Sequence, residues 1–427
     1  MNRVFFVRAS VATALGMACL AGTAAAQDSL LFADRDANRL WRLTDVNGDG
    51  VYQYPAEVFM WFDGTNEAGT QGIENINTFA MRSSDGFVLG GDQVFSNVFA
   101  FIDLNGDGDA MDAGESWVAE AAPNASSINI AFPTGAFFDS EGRAFVVNAG
   151  NGFGADAIYE LLDVDADGRY NSAGEILPFC TTGAFGATPN GPFSPQEALI
   201  TEAGDGFLRN SGSLNGVYTF SDVNTNGRGD DAGEFKVWWN SATSGVTPSA
   251  GFALERDAAR PGSLYTLQIA TGGIDQLVRL TDVNGDGDAN DAGEAVLAHV
   301  NNATGFSAID IVSLPDGDVL MTDNSGKRIV RLHDANGDNI FSAAESSVVF
   351  ESAGGITEVR ALMIIPSPSP TPCPADFNQD GGVDGGDIEA FFSEWEAGNA
   401  AADVNRDGGV DGGDIEYFFQ RWEAGGC

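Results

Sequence analysis

Oxygen-bearing side chains recur at fixed spacing along this chain, in the pattern of a cation-binding loop. In residues 282–294, DVNGDGDANDAGE, Asp282, Asn284 and Asp286 stand at the first, third and fifth positions, Gly287 at the sixth and Glu294 at the thirteenth. Alternate carboxylate and amide groups, folded back by a glycine that accepts a sharp turn, converge on one hard cation. Calcium takes about six to eight oxygens in uneven geometry whereas magnesium demands a near-ideal octahedron, so the spacing selects calcium. The pattern also begins at Asp45, Asp103, Asp163, Asp222 and Asp334 and, in a variant form, at Asp376 and Asp403.

The first kind of loop offers Asp45, Asn47, Asp49 and Glu57; Asp103, Asn105, Asp107 and Glu115; Asp163, Asp165, Asp167 and Glu175; Asp222, Asn224, Asn226 and Glu234; Asp282, Asn284, Asp286 and Glu294; and Asp334, Asn336, Asp338 and Glu345. The closing acid is thirteenth in five loops and twelfth in the last. The seventh residue varies freely (Val51, Asp109, Arg169, Arg228, Asp288, Ile340), as expected where only a backbone carbonyl is offered. With amides at Asn224 and Asn226, the loop at Asp222 is expected to bind most weakly. The loop at Asp334 carries Asn339 in the glycine's place, and Asn tolerates a left-handed turn better than most residues. One such loop alone would read as an acidic turn. Six alike make calcium the expectation, with stability its role.

The elements that hold these loops repeat with them. The six loops start 58, 60, 59, 60 and 52 residues apart. An apolar strand precedes each (40–43, 98–102, 158–162, 217–220, 277–280, 329–332), another lies upstream behind a turn signal (87–89, 144–147, 319–321), and a short one follows (58–62, 117–118, 237–239, 348–350). About four short strands per unit is the size of a propeller blade. Residues 356–365 read as an innermost strand with nothing behind it, while 30–43 lack a first strand. The C-terminal end of the propeller is therefore expected to supply one strand to the first blade, giving a mainly β, six-bladed β-propeller over 27–365. Residues 319–332, VLMTDNSGKRIVRL, resemble an NHL propeller repeat, in which a strand ending in Asp turns into an Arg-Ile strand. That resemblance supports the architecture and carries no ligand with it.

Composition narrows the function classes. The formal net charge is −42, and loss of Arg3 and Arg8 with an expected signal peptide (1–26, cut after Ala26) makes it −44. Nucleic acid and anionic membrane would repel such a chain, and the apolar run 11–20 is too short for the roughly 20 residues of a spanning helix. The reading is an exported, secreted protein with no nucleic-acid partner and no membrane insertion. Eight calcium ions would cancel over a third of the excess charge, so folding is expected to depend on metal. Of four cysteines, Cys373 and Cys427 bracket the C-terminal module and could pair, and Cys180 reads as a buried thiol.

Residues 366–372, PSPSPTP, read as a stiff linker to a small α-helical calcium-binding domain, 373–427. Residues 376–398 and 403–425 are near copies, each a loop entering a helix whose apolar residues (Ile388, Phe391, Phe392, Trp395; Ile415, Phe418, Phe419, Trp422) fall on one face. The pair resembles a type I dockerin. The resemblance implies an EF-hand-like calcium set of Asp376, Asn378, Asp380, Asp384 and Asp387, and of Asp403, Asn405, Asp407, Asp411 and Asp414, with backbone oxygens of Gly382 and Gly409. It also implies a cohesin-like protein partner in an extracellular, polysaccharide-degrading assembly. Gly385-Gly386 and Gly412-Gly413 replace the Ser-Thr pairs that dockerins often use for cohesin contact.

Two functions remain open for the propeller. One is a binding or scaffold domain for a carbohydrate or small ligand at the axis. The other is a hydrolase or lactonase on carbohydrate-related substrates, for which the marker would be carboxylates and amides converging in the central channel. Histidine chemistry has only His299 and His333, both expected to be structural or solvated. Asp34, Asp92, Asp323, Asn148 and Asn210 end the second strands of their blades. They either line an axial mouth or cap turns, and capping is the expectation.

Overall fold

The structure is a computed structural model. It describes residues 28–64, 73, 75–150, 156–181, 193–201, 204–212, 214–231, 233–270, 274–301 and 307–366, and then 375, 377–378, 383, 385–399, 402, 404 and 409–423. The expected leader 1–26, linker residues 367–372, Cys373, Cys427, Asp376, Asp380, Gly382, Asp384, Asp403, Asn405 and Asp407 lie outside the described residues.

Residues 28–366 form one compact unit of six four-stranded antiparallel sheets. From the axis outward, blade 1 is Leu362–Ile365, Ser29–Asp34, Arg39–Leu43 and Val58–Asp63, and blade 2 is Ile76–Met81, Val88–Asp92, Asn97–Phe101 and Ser116–Ala121. Blade 3 is Pro133–Phe138, Ala144–Asn148, Ala157–Leu161 and Ile176–Thr181, and blade 4 is Phe193–Ile200, Gly206–Gly212, Gly216–Phe220 and Lys236–Trp239. Blade 5 is Gly251–Arg256, Ser263–Ala270, Ile274–Thr281 and Ala295–Asn301, and blade 6 is Ala308–Ser313, Val319–Asp323, Arg328–Leu332 and Ser346–Glu351. The innermost strands touch in cyclic order, closing the ring. Closure occurs where the chain ends implied, with Leu362–Ile365 pairing Ser29–Asp34. That strand is shorter than the 356–365 read from sequence, because Thr357 and Glu358 instead donate backbone N–H to Asp34.

Strand alternation explains why nearly every strand reads as apolar on both faces. Successive side chains point to opposite sides of a blade, and each side meets another blade. In Asn97–Phe101, Val98 and Ala100 enter the cluster shared with blade 3, while Phe99 and Phe101 enter the one shared with blade 1. Six apolar clusters result, one between each pair of neighbouring blades. Cys180 is buried in the cluster between blades 3 and 4, where burial pushes its thiol pKa up and leaves it inert.

The C-terminal unit is described on its own. Two helices, Gly385–Glu396 and Gly412–Glu423, stack Phe391 on Phe418 at 4.4 Å. Phe377, Phe392, Trp395, Phe419 and Trp422 pack around that pair, so the apolar stripes meet as their helical spacing requires. Asp387 and Asp414, last in their loops, are buried. They accept backbone N–H from Asn378 (3.1 Å) and Asp411 (2.8 Å) respectively.

Candidate calcium loops and the axial channel

Every propeller loop joins the third strand of a blade to the outermost, so all six lie on one face. Their internal geometry repeats. The first Asp turns an oxygen toward the backbone N–H of the sixth residue: Gly50 to Asp45 at 2.7 Å, Gly108 to Asp103 at 2.8 Å, and Asn339 to Asp334 at 2.7 Å. Gly168, Gly227 and Gly287 donate to Asp163, Asp222 and Asp282 at 2.9 Å. That sixth residue is left-handed in all six loops, including Asn339 at φ 64°. The fourth is left-handed too, with Ala166 and Thr225 taking the strain where the other loops have glycine.

The closing Glu ties both ends of its loop. One oxygen of Glu115 accepts from Leu104 (2.9 Å) and Asn105 (3.3 Å), and the other accepts from Asp112 (2.9 Å). Glu57, Glu175, Glu234, Glu294 and Glu345 do the same for their own loops. Five of the six are buried, and Glu345 is half-buried. At Asp334, desolvation works against ionisation, but N–H donation from Asn339, Gly337 and Asp338 outweighs it and holds the pKa below the usual range.

In one loop donor oxygens converge: carboxylate oxygens of Asp163, Asp165 and Glu175 lie within 4.8 Å of one another. A residue that sequence reasoning missed joins each of four loops at its tenth position. Asn105 Nδ2 lies 2.6 Å from Asp112 and 3.1 Å from Asp107, and Asn284 Nδ2 bridges Asp291 and Asp286 at the same two distances. Ser172 Oγ sits 2.9 Å from Asp165. Asn224 and Asn226 both donate to Asp231, which lowers the pKa of that exposed carboxyl. The signal was present as Asp or Ser at position ten of these four loops, where the loops at Asp45 and Asp334 have Tyr54 and Ala343. A donor set of carboxylate and hydroxyl oxygens, such as Asp163, Asp165, Ser172 and Glu175 offer, suits a hard cation.

The ring of Asp and Asn at strand ends caps turns. Asp34, Asp92, Asn148, Asn210 and Asp323 are fully buried, and each accepts a backbone N–H from the segment entering the innermost strand: Thr357, Asn75, Phe132, Ser194 and Ser307. Gln268 completes the set in blade 5 by accepting from Ser249 at 3.0 Å. His299 is buried with Nδ1 2.6 Å from the Phe341 carbonyl, and burial lowers its pKa. Exposed His333 meets Asp318 at 2.7 Å, which raises its pKa.

The innermost strands carry acids that sequence spacing did not reveal. Innermost strands of blades 2 to 6 each break register near their start, at 76/78, 133/135, 195/197, 251/254 and 308/311. On the innermost strands of three consecutive blades stand Glu197, Glu255 and Asp310. Each is half-buried, and the Asp310 carboxylate accepts backbone N–H from Leu362 (2.8 Å) and Ile311 (2.9 Å). Desolvation and mutual repulsion push Glu255 up to about 8 and Glu197 well above the usual range, and desolvation alone pushes Asp310 to about 7. Asn77 adds a buried amide oxygen on the innermost strand of blade 2. A separate cleft of about 910 Å³ on the loop face, between blades 4 and 5, is lined by Phe207, Lys236, Trp238, Arg256 and Asp282.

No protein-family model and no curated protein matches the chain. Among solved structures, it is similar to a chain of a nidogen/laminin complex (13% identity, 80% of this chain and 99% of that chain, TM-score 0.51). It also aligns with a gluconolactonase from Xanthomonas campestris (12%, 81% and 95%, TM-score 0.46). A PQQ-bound aldose sugar dehydrogenase from Streptomyces coelicolor aligns as well (13%, 74% and 93%, TM-score 0.46). At these identities the likeness is one of fold.

Proposed function

We propose that the chain is an exported, calcium-loaded propeller that serves as a binding domain, held by its dockerin-like tail to a cohesin-like partner in an extracellular assembly. The observation that carries the calcium reading is the sixfold repetition of one loop geometry, with carboxylate oxygens gathered within 4.8 Å of one another in the loop at Asp163. Bound there, calcium would neutralise the clustered acids. The first, third and fifth side chains would hold it together with the seventh carbonyl, the closing Glu and, in four loops, the tenth side chain. Calcium titration of the full chain tests this: binding sites that vanish with chelator support it, and a protein that folds identically and takes up no calcium overturns it. For the tail, capture of an extracellular protein only in the presence of calcium supports attachment.

A second reading, a hydrolase or lactonase on carbohydrate-related substrates, is favoured by one observation: the acids Glu197, Glu255 and Asp310 on the innermost strands of three consecutive blades. Carboxyls with raised pKa beside others suit general acid and base work, and they also suit hydrogen bonding to sugar hydroxyls. Assaying lactone and glycoside hydrolysis with wild type, Glu255→Gln and Asp310→Asn separates the two. Turnover abolished by either substitution marks the enzyme. Ligand binding without turnover marks the binder.

A further inference from the structure

Each loop also reaches the blade before it. The backbone N–H of its eighth residue donates to a carbonyl on that blade's outermost strand: Ala110 to Trp61 (2.9 Å), Tyr170 to Ala119 (2.7 Å), Gly229 to Phe179 (3.0 Å), Ala289 to Trp238 (2.7 Å) and Phe341 to Ala298 (2.7 Å). Across the closure of the ring, Tyr52 donates to Val349 (2.7 Å). The acceptor is the same residue of every blade, the one that a register break pushes out of step with the third strand. Six bulges thus present six carbonyls to six loops.

The peptide group making this bond is the one that joins the seventh and eighth residues. Its carbonyl belongs to the seventh residue, the backbone oxygen that the loop pattern assigns to the cation. A trans peptide is planar, with C=O and N–H pointing in opposite directions. One rigid plate therefore has its oxygen on the loop's interior side and its N–H on the neighbouring blade. A cation drawing on the oxygen also polarises the N–H into a better donor. The plate is well seated: Ala110, Tyr170, Ala289 and Phe341 are buried, and a Cβ on Gly229 would meet Phe179 at 2.8 Å.

We propose that this shared peptide makes cation occupancy of a loop and docking of that blade onto its neighbour one equilibrium, so that each calcium clamps the seam beside it. The inference rests on the calcium reading and goes beyond it, because it assigns the clamp to a named peptide bond in each loop. The seam between blades 6 and 1 is special. It joins the two ends of the propeller, and the Tyr52 latch there lies in the blade that the closing strand Leu362–Ile365 completes.

Amide hydrogen exchange on the full chain, with calcium counted by native mass spectrometry in the same samples, tests the proposal. In calcium, the amides of Tyr52, Ala110, Tyr170, Gly229, Ala289 and Phe341 are expected to be protected. Asp282→Asn should then remove one calcium and speed exchange at Ala289 at least tenfold, leaving Phe341 and Tyr52 within twofold. Calcium lost from that loop with Ala289 still protected overturns the coupling and leaves the calcium reading standing. No calcium on the wild-type chain overturns both. Chelation of the wild type gives the second measurement: the six latch amides should be released before those of the central strands, and simultaneous release of all amides in both experiments contradicts a seam-by-seam clamp.

Discussion

Glu294 shows what one carboxylate does in this protein. Its two oxygens accept N–H from Val283 (3.1 Å), Asn284 (3.4 Å) and Asp291 (2.7 Å) while the side chain is buried. Glu294→Gln turns one acceptor into a donor facing a backbone N–H, and should cost on the order of 2 kcal/mol and weaken calcium at that loop. Thermal melts with and without chelator check this, and the loss should be larger in calcium. Gly287, left-handed at φ 95° with open space around a would-be Cβ, isolates backbone strain: Gly287→Ala should cost about 1–2 kcal/mol by denaturant unfolding, with no packing change. Glu255 tests the channel. Its folded-state pKa of about 8 lies above its ordinary value of 4.5, so the folded state holds the proton more tightly between them. Stability from this group is full below about pH 4.5 and is lost as pH rises toward about 8. Glu255→Gln should flatten that slope and raise the melting temperature at pH 9, read by calorimetry in saturating calcium. Residues with local spacing, the loop acids and the left-handed Asn339, were legible in the sequence. Glu197, Glu255 and Asp310 were not, because they lie roughly 60 residues apart and come onto neighbouring innermost strands only when the blades pack in order.

At the scale of elements, a blade is held at its inner end by one polar side chain. Asp92 accepts N–H from Val94 (2.8 Å), Phe95 (3.0 Å) and Asn75 (3.4 Å) with no exposure to solvent. Asp92→Ala would strand those buried donors and should cost about 2–4 kcal/mol in denaturant unfolding, whereas Asp92→Asn, which keeps an acceptor, should cost less. Strand order and closure could be read ahead because the apolar runs, turn signals and unmatched chain ends are local facts. The Gln268 staple escaped because its blade uses Gln where the others use Asp or Asn. The bulges escaped because a register break leaves no mark in an apolar run.

At the scale of the whole molecule, charge and topology set the behaviour. A chain of net charge −42 repels itself, and this repulsion is strongest when loop acids are bare. Added salt should therefore raise the melting temperature more in chelator than in calcium. The most direct test of the account is the number of calcium ions held by the intact chain, counted by native mass spectrometry across a calcium titration. Six ions are expected on the propeller and two on the tail, with the six lost together with thermal stability on chelation. A folded chain that holds none, or only the tail's two, would contradict it.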